Sequence, residues 1–348
     1  MTLSVIMPVY NSKDYLTEAI RSALGGGVSD VEIIAVDDCS TDGSYELLLS
    51  LAKDEPRIKP LRLEKNSGVG AVRNRALDLA TGDFLVFCDS DDTVPEGAYS
   101  ALLSAMDGCD VSVGGYRDVA DSGKVTECPI GKGASESDFL TLFSVCCLWT
   151  KMIRRDFILQ HGLRFDENLR MGEDVVFMAE LAAKGPKVVT VDKMVYDHLY
   201  HDLSSNASLT HVYTKKTFSE HIGCRRRLLR IGDESGIAEC KRYVYEYFSG
   251  ELDRYLFMIA DPEEREEAFV EYKDFLSGYD WENHPGLFRA MHGIEYGTLS
   301  SLDAVSYMNA AANLTPRDRV LLEFDAGLIG FKWIIKYLRA WLKYKLKR

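Results

Sequence analysis

Four residues, Asp89-Ser90-Asp91-Asp92, follow directly on the apolar run Phe84-Leu85-Val86-Phe87-Cys88. Carboxylates crowded at the end of a strand repel one another, and a bound cation is the least costly way to keep them ionised together. Mg²⁺ or Mn²⁺ suits such a cluster: Mg²⁺ takes one or two protein carboxylates and completes its octahedron with phosphate oxygens and water. The chemistry expected here is therefore that of a metal-bound nucleoside diphosphate. If the chain stays extended through the quartet, Asp89 and Asp91 point to one side and Ser90 to the other. The plain alternative is an acidic turn that opens the helix after Thr93 and Pro95.

Such a cluster needs a frame. Leu3 to Met7, Val31 to Val36, Ile58 to Leu63, Phe84 to Cys88 and Val111 to Val113 read as strands, with helical patterns over Tyr15 to Leu24, Tyr45 to Ala52, Val69 to Leu79 and Tyr99 to Met106. This alternation predicts an α/β fold with a mostly parallel central sheet, right-handed crossovers and helices on both faces. Ligands of such sheets bind beyond the carboxyl ends of the strands. The polar residues collect at those ends: Pro8-Val9-Tyr10-Asn11, Asp37-Asp38-Cys39-Ser40-Thr41-Asp42-Gly43, Asn66-Ser67-Gly68 and the acidic quartet. Unrelated turns would scatter polar residues over both ends, so one crevice is expected. A dinucleotide-binding fold fails in detail, because the first turn has no glycine and Gly68-Val69-Gly70 lacks the third. A P-loop lysine motif is missing as well.

Composition narrows the classes. The chain has 348 residues, enough for one large domain and a smaller one, and a formal net charge of −13. That charge argues against a nucleic-acid partner, which demands a basic surface. Eight cysteines are scattered without a CxxC pair and read as reduced core thiols. Met1 leads straight into a strand pattern and no apolar stretch is long enough to span a bilayer, so neither a signal peptide nor a membrane span is expected. A cytoplasmic location follows.

Ser4 to Asn11, Val36 to Ser44, Asn66-Ser67-Gly68 with Ala71-Val72-Arg73-Asn74, Gly82-Asp83 and the quartet, taken in that order, resemble family 2 glycosyltransferases of the GT-A fold. The resemblance continues through Trp149-Thr150-Lys151, Phe165-Asp166-Glu167 and Gly172-Glu173-Asp174, and fades near Ser208. It implies metal-dependent transfer of a sugar from a nucleoside diphosphate to an acceptor hydroxyl, with inversion at the anomeric carbon. Tyr10 and Asp38 stand where the family holds the base, a pairing that suits uracil or thymine and makes a UDP-sugar the expected donor. Pro8, Asn11 and Ser90 fall within the matching motifs and count among the donor-binding residues. Arg73 is implied to reach the nucleotide or its phosphates, unless it is a surface helix residue, and Asn66 to fix the loop. Asp89 is implied to face the ribose or donor sugar and Asp91 to hold the metal, with Asp92 sharing or taking over that role. Asp38, beside Asp37, is otherwise a strand-end turn acid or helix cap.

Transfer to an alcohol needs a base for the hydroxyl proton, and the resemblance implies Asp174, at the start of an apolar helical segment. A helix N-terminus favours the ionised carboxylate; the simple alternative is N-capping. Glu173 is implied to orient the acceptor or support the loop. Downstream, His198 or His201 is implied to meet the metal or diphosphate, or else to be a plain loop residue, and Asp197 and Leu199 depart from the family pattern.

From His211 onward helical patterns dominate, which predicts domains at 1–210, 211–327 and 328–348. The basic run Arg225-Arg226-Arg227 with Arg230 suits acidic lipid, the nucleotide site or a solvated helix face. Leu328 to Arg348 carries seven Lys/Arg and no acid, with Phe331, Ile335, Leu338, Leu342 and Leu346 in one stripe. Each basic side chain near an anionic membrane contributes on the order of 1 kcal/mol. Peripheral attachment to the inner leaflet is one expectation, and docking on protein is the other. Membrane contact would fit a lipid-linked or glycan acceptor, as in assembly of bacterial cell-surface polysaccharide. A sugar-phosphate nucleotidyltransferase and a catalytically silent nucleotide-sugar-binding protein are the alternatives; the first lacks its glycine-rich basic turn at Pro8 to Asn11, and Asp174 speaks against the second.

Overall fold

The computed structural model describes residues 1–130, 142, 147–200, 213–237, 259 and 261–277. The chain divides into two compact units, Met1–Val212 and Tyr213–Arg348. In the first, strands β1 (Leu3–Val9), β2 (Val31–Asp37), β3 (Ile58–Arg62) and β4 (Phe84–Phe87) alternate with helices α1 (Leu16–Leu24), α2 (Ser44–Asp54), α3 (Val69–Leu79) and α4 (Ala98–Ser104). Then come β5 (Val111–Ala120), β6 (Val125–Cys128), a 3-10 turn (Leu148–Thr150), β7 (Lys151–Arg154), α5 (Arg155–His161), α6 (Glu173–Ala183) and β8 (Val188–Tyr200).

The sheet order is β3-β2-β1-β4-β7-β5-β6, with β8 also paired to β5. β1 to β4 are parallel throughout, as the alternation of strand and helix requires. The fifth predicted strand does not join them directly. β7 inserts between β4 and β5, antiparallel to both, with Leu85 opposite Ile153 and Ser112 opposite Met152. Its four residues carry too short an apolar pattern to be read as a strand beforehand. β5 also runs on to Ala120, where β6 and β8 flank it.

Every residue of β2 is buried, and of β1 all but Pro8, because helices cover both faces of these strands. Leu16, Ala19, Ile20 and Ala23 repeat at helical spacing and bury one face of α1 against Leu3, Val5 and Met7. On the other face of the sheet Phe87 meets Phe165 and Phe177 edge-on at 5.7 and 6.2 Å, and those two rings stack at 4.2 Å. This aromatic cluster seats α6, whose first turn carries Glu173 and Asp174, against the end of β4.

In the second unit α7 (Lys215–Ser235) packs on α8 (Pro262–Ser277). Thr214 caps α7, its Oγ1 accepting from Thr217 N at 3.2 Å. The basic run is divided rather than presented together: Arg225 is buried, while Arg226 pairs with Asp274 at 2.7 Å and lies over Phe275. Segments 131–141 and 328–348 lie outside the described residues. Among the described residues no helix is long and apolar enough to cross a membrane.

At the end of the sheet opposite the polar crevice, Glu32 is 6% exposed and accepts from Ser4 Oγ (2.5 Å), Thr81 N (2.7 Å) and Thr81 Oγ1 (3.0 Å), and it pairs with Lys59. Burial alone would raise this carboxyl, but its partners outweigh burial and hold it down at about 2, from an ordinary 4.5. A depressed folded-state value stabilises the fold above the unfolded value, and that contribution is lost as pH falls. Urea denaturation should find Glu32→Gln less stable than wild type by on the order of 2 kcal/mol at neutral pH. The difference should shrink as pH falls from 4.5 to about 2; a constant difference over that range would remove Glu32 from the acid sensitivity of the fold.

Candidate functional site

The crevice lies where β1 to β4 end. Tyr10, just past β1, is 52% exposed there. Asn11 takes a left-handed conformation at φ 49°, which Asn tolerates better than most residues. Its Oδ1 accepts from Thr41 N at 2.8 Å and its own N–H donates to Ser40 Oγ at 3.0 Å, tying the end of β1 to the loop after β2. Pro8 is a partly buried member of β1, opposite Val36. Asp38 is buried, with Oδ1 accepting from Ser67 N at 2.7 Å and Oδ2 from Gly68 N at 2.9 Å. Asn66 Nδ2 donates to the Asp38 carbonyl at 3.3 Å. Asp38 and Asn66 thus hold the loop before α3 on the end of β2, and each Asp38 oxygen retains a second lone pair.

The quartet is a turn, closed by Asp92 N–H to the Asp89 carbonyl at 3.3 Å. Strand alternation therefore does not extend through it. Ser90 and Asp92 are buried, Asp89 is partly exposed and Asp91 is exposed. Asp92 is turned inward onto β8: its Oδ2 accepts from Tyr196 Oη at 2.8 Å and its Oδ1 from Leu199 N at 2.7 Å. Burial, and then the charges of Asp91 and Asp89, push its carboxyl far up against the pull of those two donors. Asp91 is left as the carboxylate at the turn's surface. Among the described residues no group of three or more His, Cys, Asp or Glu is arranged to hold a metal ion. A cation bridged by a diphosphate requires only one or two carboxylates, and the oxygen donors here suit Mg²⁺ or Mn²⁺.

Arg73 is neither a surface residue nor directed at open solvent. On α3, 5% exposed, it donates from Nη1 to Glu173 Oε1 at 2.6 Å and from Nη2 to Asp89 Oδ1 at 3.1 Å, with Phe165 5.5 Å beneath the guanidinium. Burial disfavours its charge, but Asp89, Glu173 and Asp174 outweigh burial and keep it protonated. Gly172, at φ 74°, is the N-cap of α6, so Asp174 is not the cap but a first-turn residue, its Oδ1 on Val175 N at 2.8 Å. Burial raises the Asp174 carboxyl, with Arg73 opposing. Burial and the neighbouring Asp174 push Glu173 up to about 7, again against Arg73. The adjacent pair therefore gives up its protons less readily than isolated acids do.

His198 stands on β8, its Nδ1 2.9 Å from Asp118 Oδ1 and its ring stacked 5.7 Å from Trp149. Asp197 is tied up elsewhere, in a two-pronged pair with Arg117 at 2.6 Å for each bond. His201 lies outside the described residues. Sequence reasoning placed Trp149 within a matching motif but gave it, Tyr196 and Asp118 no role. The spacing of Tyr196 and His198, two apart on a strand and so on one face, was the available signal.

Several known proteins are similar to this chain. A model of glycosyl transferase family 2 matches residues 4–157. The teichuronic acid biosynthesis glycosyltransferase TuaG of Bacillus subtilis is 35% identical over 189 residues, which is 53% of this chain and 73% of TuaG. The chain belongs to glycosyl transferase family 2 and is a glycosyltransferase. Residues 1–349 of S. aureus TarS, in complex with UDP-GlcNAc, superpose with a TM-score of 0.65 at 22% identity over 89% of this chain and 88% of that one. The mannosyltransferase PcManGT from Pyrobaculum calidifontis, in complex with GDP-Man and Mn²⁺, superposes with a TM-score of 0.51 at 14% identity over 89% and 85%. The fold is the GT-A fold implied by the motifs.

Removing one member of a buried, hydrogen-bonded charge cluster typically costs about 3 to 5 kcal/mol. Arg73→Met should destabilise the protein by about that much in urea denaturation, whereas Arg75→Met, on the exposed face of α3, should shift it by no more than about 0.5 kcal/mol. Equal effects would deny Arg73 its central place.

Proposed function

We propose that the chain transfers a sugar from a UDP-linked donor to an acceptor hydroxyl, with inversion and with a divalent metal at the diphosphate. The observation that carries this reading is the convergence of Asp89, Glu173 and Asp174 around Arg73, beside the exposed Tyr10 and Asp91. Tyr10 packs on the base and Asp38 receives its imide N–H. Asp91 is the residue to hold Mg²⁺ or Mn²⁺, which when bound offsets charge on the leaving diphosphate. Asp89 faces the ribose or sugar. Asp174 accepts the proton of the attacking hydroxyl, and its raised affinity for protons suits a base, since proton acceptance is most effective when the pKa approaches the working pH. Glu173 supports it through Arg73.

TuaG, named for teichuronic acid biosynthesis, favours an acceptor belonging to a bacterial cell-surface polymer, either a glycan or a lipid-linked chain. The helical region after residue 210 then serves the acceptor, and the basic segment 328–348 attaches to an anionic inner leaflet. UDP-GlcNAc bound in one similar fold and Mn²⁺ in another are consistent with the donor and metal proposed.

Thermal stability against UDP, GDP, CMP, dTDP and ADP, each with and without Mn²⁺, tests the donor. The melting temperature should rise with UDP, and more so with Mn²⁺, by mass action; a larger shift with another nucleotide would reassign the donor. Asp174→Asn should reduce kcat by about 10²- to 10⁴-fold with UDP affinity unchanged. Undiminished turnover would remove Asp174 as the base, and absence of turnover in the wild type with any donor would favour a silent binding protein. The base acts deprotonated, so the acid limb of the kcat/KM profile should lie above 3.8, the ordinary value for an aspartate. A limb at or below 3.8 would count against Asp174.

A further inference from the structure

Tyr196 is fully buried on β8, and its hydroxyl reaches both ends of the acidic turn. The oxygen accepts from Asp89 N–H at 3.0 Å and donates to Asp92 Oδ2 at 2.8 Å. One strand position further on, Asp197 and Thr93 exchange backbone hydrogen bonds of 2.9 and 3.1 Å, and Leu199 N donates to the second Asp92 oxygen at 2.7 Å. Trp149 stacks on the Tyr196 ring at 4.3 Å and 15°, with Tyr116 edge-on to Trp149 at 4.9 Å, so the phenol is held in place from behind. Phenylalanine would fill the same volume but neither accept nor donate; only the hydroxyl can satisfy both ends of the turn at once. The result is a turn in which Asp92 is drawn inward while Asp91 stays at the surface and Asp89 remains available to Arg73.

We infer that Tyr196 is a positioning residue for the metal-diphosphate site: its hydroxyl sets the shape of the Asp89–Asp92 turn and thereby the placement of Asp91. The inference rests on the proposed role of Asp91 and adds that Asp92 is a strut and not a ligand. Groups that orient metal ligands in this way typically account for about 10- to 100-fold in metal affinity.

The test uses the full chain, with Mn²⁺ titrated in the presence of UDP and followed by the electron paramagnetic resonance of free Mn²⁺, and with UDP binding measured separately without metal. Tyr196→Phe should weaken Mn²⁺ binding by about 10- to 100-fold while leaving metal-free UDP affinity unchanged, because Tyr10 and Asp38 are untouched. Asp92→Asn, whose amide can donate back to the tyrosine oxygen while its carbonyl keeps Leu199, should hold Mn²⁺ affinity within a few-fold. A Tyr196→Phe protein that is less stable but binds Mn²⁺ as wild type does would overturn the inference, leaving only a packing role. If Tyr196→Phe does not fold, Asp92→Asn decides: lost Mn²⁺ affinity would make Asp92 a ligand and end the inference, and retained affinity supports the strut. A wild type that binds UDP without any Mn²⁺ dependence would instead reject the metal in the proposed function, and this inference with it.

Discussion

The guanidinium of Arg73 lies between Asp89 and Glu173, residues that belong to the end of β4 and the start of α6 and that this cation joins. Glu173 stands 100 positions from Arg73 along the chain. A charge buried to this degree is tolerable only when paired and hydrogen-bonded, and the carboxylates gain as much from it as it does from them. Without Arg73, burial would favour the neutral acids, and the first turn of α6 would lose its ion pair to α3. The Phe87, Phe165 and Phe177 cluster does the apolar part of the same task, holding α6 over β4 so that the ion pairs close.

A second brace acts from the opposite side. β8 reaches the acidic turn through Tyr196, the Leu199 amide and the paired backbones of Thr93 and Asp197. The quartet is therefore gripped from both flanks, by Arg73 on Asp89 and by β8 on Asp92. Three acids within four residues need not share one fate: Asp89 enters an ion pair, Asp92 is buried against β8, and Asp91 is left at the surface. Local repulsion among them is relieved by separating their environments.

Asp38 orders a further part of the crevice. Its carboxylate receives the amides of Ser67 and Gly68 and so fixes the loop that opens α3, the helix that carries Arg73. The end of β2 and the ion-pair cluster are thereby linked through one turn of chain. A lone-pair count leaves room on the same oxygens for a further donor.

The strands β1 to β4, the helices between them and the crevice at their ends were legible because hydrophobic periodicity and polar strand ends are local properties of the chain. So were the family and the candidate residues, since motif order survives without coordinates. β7 was not legible: it is four residues long, and its partners β4 and β5 are far from it in sequence. The ranking of Asp91 and Asp92 was equally out of reach, because adjacent carboxylates differ only in what tertiary neighbours offer them. Tyr196, two positions before His198, was given no role for the same reason. The sequence by itself determined the α/β order, the acidic quartet and the class of chemistry, all of which are written in short-range pattern. Tertiary structure alone decided that Arg73 is an internal counter-ion, that Asp92 faces inward and that Asp174 sits inside a first helical turn, because burial and pairing across 100 residues depend on contacts no local pattern encodes.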